Sequence, residues 1–507
     1  MGSDKGVVAA GHQLTADAAA EILGDGGNAF DAALAGMMMA CVPEVVFASI
    51  GGGGFLMAHV AETGGTQLFD FFAQTPRRKR AESELDFYEI TADFGPAAQE
   101  FHIGAGSTAV PGFAQGLFAV HERLCRLPMA RLAAPAAKAA RDGVTLTDFH
   151  AYLFTIVAPI LTASEGARGI FAPEGHLLEG GETYRNPDFA ETLEALAEEG
   201  PRLFTEGEVA RAIAAESQEH GGHLSLEDLG AYRVETREPL IWRHGDATVA
   251  LNPAPAASGA LVAFGLGLLE GLTGDGQAPG PLELAATMAE TNRARAKQGN
   301  ALASLTDPDV IAQHLAQLAA HAPATRGTTH ISVIDGEGNA AAATITNGEG
   351  NGYMLNRFGF MLNNMLGEED LNPNGFHGWQ PDTRLSTMMA PTIVRAADGS
   401  ITAMGSGGSN RIRTAILQVI VNLLDHGLTL DAAVDAARLH VEKTGQLSFE
   451  DQLAPDARAA LLATYPDAHA WPEPNLFFGG VHTARRHADG RLEGAGDPRR
   501  CGVAILV

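Results

Sequence analysis

The chain has 507 residues, of which 46% are hydrophobic and 19% are charged, and this balance excludes a largely disordered protein. Its 61 acidic and 34 basic side chains give a formal net charge of −27. Because so acidic a surface repels nucleic acid and anionic lipid, we expect neither nucleic acid nor a membrane as a partner.

The first predicted elements are two helices. Thr15 is a plausible N-cap, Ile22 and Leu23 mark an apolar face, and Gly26-Gly27 would stop the first helix. The stretch from 28 to 39 has helical composition again, and its three consecutive methionines are expected in the core.

A glycine run, Gly51 to Gly54, interrupts the chain and is followed by two predicted paired strands, 55–60 and 66–72. The run is not a phosphate loop, because no Lys-Ser or Lys-Thr follows it. Glycines in such a run allow backbones to approach closely, and we expect that close packing near the active site.

The middle of the chain, from about 108 to 300, is predicted to be largely helical, for example over 189–199, 206–220 and 260–272. Beyond residue 322 the composition changes. Two β-type runs, His330–Asp335 and Ala340–Thr346, are joined by a glycine-rich turn and predict a hairpin.

Strands at Thr392–Arg395 and Ile401–Met404 and a helix over 412–426 complete the predicted elements. Strands early and late in the chain with helices between them predict a layered α+β or αββα core.

The cysteines and the N-terminal residues bear on the compartment. Three scattered cysteines favour a reducing environment, and the first residues lack the pattern of a signal peptide. The apolar run Ala32–Val42 is too short to span a bilayer. We therefore expect a cytoplasmic protein, with a periplasmic or secreted one as the alternative if a leader has been removed.

One segment, Thr328-Thr329-His330, stands at the start of a predicted strand and is followed by Asp335-Gly336-Glu337-Gly338-Asn339. With these runs the sequence resembles the γ-glutamyltransferase family of N-terminal-nucleophile enzymes, whose small subunit begins in the same way. The resemblance covers nearly the whole chain in order. Further runs that carry it are Gly26-Gly27-Asn28-Ala29, Val110-Pro111-Gly112, Leu362-Asn363-Asn364, Ala390-Pro391-Thr392, Gly405 to Ser409 and Asp497-Pro498-Arg499-Arg500.

The resemblance implies a four-layer αββα sandwich made from a proenzyme that cuts its own Gly327–Thr328 bond. The large segment would be residues 1–327 and the small segment residues 328–507, and the two would form one domain as a heterodimer. A further dimer of this heterodimer is left open.

Threonine at a new N-terminus has a chemical advantage. A threonine hydroxyl is a poor nucleophile until a base takes its proton, and a free α-amine has a pKa of roughly 7.7–8.0. Cleavage before Thr328 therefore creates nucleophile and base on one residue. Taken alone, however, a Thr-Thr pair also fits the start of an ordinary strand.

Other catalytic roles follow from the resemblance. Thr346 would orient Thr328, although an ordinary strand threonine is nearly as good an interpretation. Gly407 and Gly408 would supply backbone N–H groups to the oxyanion. In an ungapped match the second of the family's glycines falls on Ser409, so the pair of N–H groups stays open.

Substrate contacts are expected from Ser386 and Thr387 for an α-carboxylate, Glu368 for an amine, and Asn347. One departure from the family is clear: Phe72 stands where an arginine usually pairs with the α-carboxylate. Arginine forms a bidentate pair that is hard to replace. The chemistry is therefore the firmer expectation and the glutamyl specificity the weaker one.

The resulting expectation is hydrolysis or acyl transfer on γ-glutamyl amides such as glutathione, with water or an amine as acceptor and no cofactor. No metal is expected, since the 18 histidines show no His-x-x-x-His spacing. One alternative is an acylase for a glutaryl or cephalosporin-type side chain. The other is an uncut relative that binds such a ligand without catalysis.

Overall fold

The computed structural model describes residues 4–93, 98–273, 277–298, 302–315, 328–372 and 374–507. The predicted cleavage position Gly327 therefore lies outside the described residues, and Thr328 is the first residue after that gap.

Strands occur along the whole chain, in the first third as well as near the C-terminus. They are β1 (Gly6–Ala10), β2 (Gly53–Val60), β3 (Gly65–Phe71), β4 (Tyr88–Asp93), β5 (Ala98–Ile103), β6 (Val144–Thr145), β7 (Thr183–Tyr184), β8 (Glu235–Arg237), β9 (Leu240–His244), β10 (Ala247–Leu251), β11 (Thr329–Asp335), β12 (Ala340–Thr346), β13 (Met354–Leu355), β14 (Phe360–Met361), β15 (Thr392–Arg395), β16 (Ile401–Gly407), β17 (Leu439–Val441), β18 (Leu447–Glu450), β19 (His469–Trp471), β20 (Gly480–Arg486), β21 (Leu492–Ala495) and β22 (Val503–Leu506).

The helices are concentrated between the early and the late strands. They are α1 (Gln13–Gly24), α2 (Ala29–Ala40), α3 (Phe113–Leu124), α4 (Met129–Asp142), α5 (Asp148–Ile156), α6 (Ala158–Leu161), α7 (Glu165–Phe171), α8 (Pro187–Glu199), α9 (Arg202–Thr205), α10 (Glu208–Glu219), α11 (Leu226–Ala231), α12 (Ser258–Thr273), α13 (Pro281–Gln298), α14 (Pro308–Leu315), α15 (Arg411–Leu424), α16 (Leu430–Asp435) and α17 (Pro455–Thr464).

Within the described residues, two sheets dominate. One has seven strands in the order β22-β1-β11-β12-β2-β3-β8, and the other has six in the order β21-β20-β16-β15-β10-β9. Neighbouring strands in both sheets are antiparallel. Each sheet contains strands from before and after Thr328, so the two parts of the chain are interleaved.

The sheets pack face to face, with β11 and β12 against β16 and with β11 also against β20. Helices α1 and α2 cover the outer face of the seven-stranded sheet, while α12 and α15 cover the six-stranded one. The protein is thus a four-layer αββα sandwich of the α+β class, as the resemblance implied. Every residue of β11 and β12 is buried, because both faces of their sheet are covered.

The start of the chain differs in one detail from the prediction. Helix α1 is capped by His12, whose Nδ1 accepts the backbone N–H of Leu14 at 3.0 Å. Thr15 lies inside the helix, where its buried hydroxyl donates to Glu44 Oε1 at 2.6 Å instead of capping. The second predicted helix is confirmed, and Asn28 and Asp31 form its capping box.

The glycine run packs closely, as predicted. A Cβ on Gly52 would collide with the backbone carbonyl of Thr346, and one on Gly53 would lie 2.8 Å from the carbonyl oxygen of Phe71. The absence of side chains therefore lets the start of β2 lie directly against the end of β12. This contact places residues 51–54 beside Thr346.

Candidate active site

Thr328 lies one residue before β11, is 4% exposed and opens onto a cavity between the two sheets. The cavity is small and partly open to solvent. We call it the Thr328 cavity. Its lining residues are Phe72, Thr328, Thr346, Glu368, Asp370, Leu371, Thr387, Met388, Met389, Ser409 and Ile412.

The backbone of Thr328 is fixed from the side of the six-stranded sheet. Arg500 Nη1 donates to the Thr328 carbonyl oxygen at 3.2 Å, and the Arg500 guanidinium lies 5.1 Å from the ring centroid of Phe47. A Cβ on Gly407 would collide with the same carbonyl, so only glycine fits there. Burial, with repulsion from Arg411, lowers the pKa of Arg500 to about 10, which leaves it charged at neutral pH.

The residue after Thr328 is anchored by a buried carboxyl group. Thr329 Oγ1 donates to Glu44 Oε2 at 2.5 Å, and Thr15 donates to the other oxygen. Burial raises the pKa of Glu44, while these two hydrogen bonds and the charge of Arg500 oppose that shift. Glu44 therefore ties the start of β11 to helix α1.

Thr346 ends the neighbouring strand and lines the same cavity as Thr328. Its Oγ1 accepts the backbone N–H of Gly348 at 3.0 Å, which fixes the hydroxyl rotamer. The structure thus brings Thr328 and Thr346 together, as the predicted hairpin requires. The orienting role of Thr346 stays a prediction.

The turn from Gly407 to Ser409 joins the end of β16 to the start of α15. Gly408 has φ of 118° and Ser409 has φ of 53°, so both occupy the region that favours glycine. Among the described residues, the backbone N–H groups of Gly408 and Ser409 donate to no backbone carbonyl. The turn precedes a helix N-terminus, where partial positive charge favours a developing anion.

Glu368 lines the Thr328 cavity. Its Oε1 would be 2.5 Å from a Cβ on Gly348, so the missing side chain at Gly348 gives the carboxyl group its place. Gly348 has φ of 63° and lies next to Asn364 as well. Glu368 is 6% exposed.

Of the other three residues predicted to contact the substrate, only Thr387 lines the Thr328 cavity. Thr387 lines the Thr328 cavity, and its Oγ1 accepts the backbone N–H of Met389 at 3.2 Å. Ser386 is partly buried beside it but is not among the lining residues. Asn347 lines a separate cavity, together with Cys41 and Glu349. The contacts assigned to Ser386 and Asn347 stay predictions.

Phe72 lines the Thr328 cavity, so the departure noted in the sequence lies in the site itself. It is fully buried and stacks on Phe55 with ring centroids 5.5 Å apart. Arg77 and Arg78, its nearest sequence candidates for a replacement cation, instead pair with Glu227 at the surface.

His330 follows Thr328 by two residues but is held inside the core. Its Nδ1 lies 2.7 Å from Thr344 Oγ1 and its Nε2 lies 2.9 Å from Ser332 Oγ. Burial, with the nearby His482, lowers its pKa well below the usual value. These contacts engage both ring nitrogens of His330 within the core.

Sequence reasoning missed three residues of the site. Arg500 was recognised only within a terminal motif, and nothing indicated its contact with Thr328. No motif or spacing in the sequence singles out Glu44. Asp370 is not named in the sequence analysis, yet it lines the cavity and accepts a hydrogen bond from Ser409 Oγ at 3.2 Å.

Within the part of the chain that the structure describes, no group of three or more His, Cys, Asp or Glu residues is placed to hold a metal ion. Nor is any helix there long and apolar enough to cross a membrane.

Comparison with known proteins gives a family match over almost the whole chain. The γ-glutamyltranspeptidase family model matches residues 15–507. The glutathione hydrolase proenzyme of Pseudomonas aeruginosa is 30% identical, over 99% of this chain and 95% of its own length. An acylase ACY 1 proenzyme of Pseudomonas sp. strain V22 is also 30% identical, over 99% of this chain and 94% of its own.

A solved structure matches the fold. The crystal structure of cephalosporin acylase from Bacillus halodurans superposes with a TM-score of 0.86 at 23% identity, covering 99% of this chain and 96% of that one. At that identity the likeness establishes the N-terminal-nucleophile hydrolase fold.

Proposed function

Because the chain belongs to the γ-glutamyltranspeptidase family, whose members are hydrolytic enzymes, we propose that it cuts its own Gly327–Thr328 bond and then hydrolyses amides with Thr328 as nucleophile. The observation that carries this proposal is the position of Thr328. It lies at the start of a central strand, on a cavity, with its carbonyl bonded to a buried arginine.

In the proposed reaction, Thr328 Oγ attacks the amide carbonyl carbon while the freed α-amine of Thr328 takes the hydroxyl proton. Backbone N–H groups of the Gly407–Ser409 turn donate to the oxyanion, with Gly407 and Gly408 as the pair expected from the resemblance. The α-amine then passes this proton to the amide nitrogen of the substrate, which leaves as a free amine. The acyl group remains as an ester on Thr328 Oγ. Water or a second amine then attacks that ester, and Thr328 regains its proton.

Self-cleavage would yield residues 1–327 and 328–507. The interleaved strands support the proposal that both fragments stay in one domain, since β11 is bonded to β1 on one side and to β12 on the other. The names of the two relatives support processing as well, because the glutathione hydrolase of Pseudomonas aeruginosa and the acylase are both called proenzymes.

The substrate class that we propose is a γ-glutamyl-type amide. Glu368 would receive the substrate amine, and Thr387, with Ser386 and Asn347 nearby, would contact its polar end. Thr346 would hold Thr328 in the attacking rotamer. A cytoplasmic location remains a prediction from the sequence.

An acylase for a different side chain is the second candidate, and Phe72 on the cavity wall favours it. A phenyl ring supplies no counter-charge to a carboxylate. The 30% identity to an acylase over the whole chain points in the same direction. An uncut binding protein remains the third candidate.

The proposed nucleophile can be tested by trapping the ester. Purified protein is mixed with a γ-glutamyl or glutaryl p-nitroanilide, quenched in acid within milliseconds to seconds, digested and mapped by mass spectrometry. We expect the acyl group on the peptide that begins with Thr328 and none on protein denatured before mixing. Acylation of another residue, or turnover without any Thr328 ester, would contradict the proposal.

A further inference from the structure

The turn that follows β16 contains a residue in a backbone conformation that its side chain disfavours. Ser409 has φ of 53°, in the left-handed region, where the Cβ of any residue other than glycine crowds the backbone. In the ungapped match to the family, Ser409 takes the place of a glycine. A residue with a side chain stays in this region only where surrounding contacts hold it there.

The side chain of Ser409 is held by Asp370. Ser409 Oγ donates to Asp370 Oδ2 at 3.2 Å, and the bond joins the turn to a segment 39 positions earlier in the chain. Ser409 and Asp370 are both 8% exposed. Little water therefore competes for this hydrogen bond, and the low local polarity strengthens it.

Asp370 is itself fixed by two cationic side chains. Its Oδ1 lies 3.2 Å from Lys443 Nζ and 4.0 Å from Arg295 Nη1. Arg295 Nη2 donates to the backbone carbonyl of Asp370 at 3.2 Å, and Arg295 Nη1 donates to Asn410 Oδ1 at 2.8 Å. The side chains of Ser409 and Asn410, which are consecutive in the turn, are therefore tied to the same cluster of charged groups.

The conformation of Ser409 sets the direction of a backbone donor. Rotation about the φ angle of Ser409 turns the peptide group between Gly408 and Ser409, while helix α15 fixes the chain on the other side of the turn. Among the described residues, the N–H groups of Gly408 and Ser409 donate to no backbone carbonyl. Because Ser409 lines the Thr328 cavity, a change in its φ angle would move its N–H relative to Thr328.

We propose that Asp370 is a positioning residue for the oxyanion, because its hydrogen bond to Ser409 Oγ keeps the turn in the conformation that directs the Ser409 N–H at the developing negative charge. The inference rests on the proposed function, which assigns this turn to the oxyanion. Asp370 acts through Ser409 and needs no contact with the reacting atoms. The tie lets a serine hold a conformation that a glycine would adopt without help.

Two substitutions of Ser409 separate the tie from the backbone strain. Ser409→Ala removes the hydroxyl and keeps the Cβ, so the turn loses its tie and stays strained. Ser409→Gly removes both, so the turn needs no tie. With a γ-glutamyl or glutaryl p-nitroanilide, kcat of Ser409→Ala should fall about tenfold, and kcat of Ser409→Gly should exceed that of Ser409→Ala at least about fivefold. Equal kcat values for the two variants would overturn the inference.

Asp370→Ala tests the other end of the tie in two backgrounds. It should lower kcat about tenfold in the wild-type chain, with a smaller change in KM, and no more than about twofold in the Ser409→Gly chain. A direct contact between Asp370 and the substrate would give the same loss in both chains, and that result would contradict the inference. The matched control Glu369→Ala removes a neighbouring carboxyl group whose side chain is 68% exposed, and it should keep the wild-type kcat.

Urea unfolding separates this inference from the proposed function, because it requires no turnover. Ser409→Gly should unfold at a higher urea concentration than Ser409→Ala, since glycine adopts φ of 53° without strain. Asp370→Ala should lower the unfolding midpoint less in the Ser409→Gly chain than in the wild-type chain. If no anilide is turned over, the proposed function fails, and these two comparisons still decide whether Asp370 holds the turn. A Ser409→Ala protein as stable as Ser409→Gly, or equal losses in both chains, would show that it does not.

Discussion

On one side of the Thr328 cavity the proposed nucleophile is held by contacts to its backbone, whereas the other side, where we propose that the acyl group binds, is lined by side chains. The nucleophile side comprises Thr328, Gly407, Arg500 and Glu44, and its contacts join the carbonyl and the strand of Thr328 to distant parts of the chain. The acyl side comprises Phe72, Glu368, Thr387, Met388 and Met389.

Substitutions on the two sides of the cavity are expected to change different properties of the site. On the nucleophile side, a substitution at Gly407 or Arg500 would move the backbone of Thr328 itself. On the acyl side, one side chain such as Phe72 can alter the charge and shape of the pocket while β11 stays in place. We therefore expect reaction type and acyl specificity to be separable in this fold.

The largest effect is expected from Thr328→Ala. Without the hydroxyl, amide turnover should fall by at least about 10³-fold, and the chain should stay uncut, because no other group replaces the nucleophile. Turnover by a sensitive anilide assay and denaturing electrophoresis measure the two effects. The matched control Thr328→Ser keeps a hydroxyl and should still be cut. A Thr328→Ala protein that is cut and active would show that Thr328 is not the nucleophile.

Arg500→Met tests whether the distant contact positions the nucleophile. Losing a charge-assisted bond to the Thr328 carbonyl should lower kcat about 10- to 100-fold while KM changes little, since Arg500 does not line the acyl side. The control Arg500→Lys keeps the charge and should recover part of kcat. If KM rises and kcat is unaffected, Arg500 acts on the acyl side, and the assignment of Arg500 to the nucleophile side is wrong.

Acid sensitivity should also arise on the nucleophile side. Burial, with Arg500 and Arg438, lowers the pKa of His482 to about 4. Unfolded His482 takes up a proton below about pH 6.5 while the folded form stays neutral, so the free energy of unfolding should fall as pH drops from 6.5 to 4. The expected slope is about 1.4 kcal/mol per pH unit for one histidine.

The variant His482→Gln checks the origin of that slope. Urea unfolding at several pH values measures the free energy of unfolding of the variant and the wild-type protein. Between pH 6.5 and 4 the slope for the variant should be smaller by the contribution of one proton, about 1.4 kcal/mol per pH unit. If the variant and the wild-type protein have the same slope, the proton uptake occurs at other groups.

The smallest effect is expected from Phe72→Leu. The loss of part of a buried ring should lower the free energy of unfolding by about 1 to 1.5 kcal/mol and change KM more than kcat. Phe154→Leu is a matched control, since Phe154 is about equally buried and is not among the residues that line the cavity. It should destabilise similarly and leave KM as it is. A Phe72→Leu protein with normal KM and reduced kcat would contradict the assignment of Phe72 to the acyl side.

Local patterns predicted the elements that carry the nucleophile. The β-type runs at 330–335 and 340–346 became β11 and β12, and the helix near 412–426 became α15. The glycine-rich turn between the two runs predicted the hairpin. The four-layer fold and the family followed from the order of many short motifs.

Strand β1 was not predicted because burial of all its residues removes the alternation that identifies a strand. β1 reads Gly-Val-Val-Ala-Ala and is buried on both faces. Strands β8 to β10 lie within the segment that was predicted to be largely helical, where the surrounding alanine- and leucine-rich stretches dominate the pattern. Tertiary contacts decide their structure.

Site contacts between distant residues could not be predicted from spacing. Arg500 reaches Thr328 across 172 positions, and Glu44 reaches Thr329 across 285. Asn347 directly follows Thr346, yet it lines the neighbouring cavity because successive side chains at a strand end diverge. Only the packed fold shows which of these side chains share a cavity.

The central claim is that Thr328 becomes an N-terminal nucleophile, and intact mass of the purified full chain under denaturing conditions tests it most directly. The account predicts two fragments, with N-terminal sequencing of the smaller one giving Thr-Thr-His-Ile. A single uncut chain that remains inert toward every anilide after long incubation would contradict it.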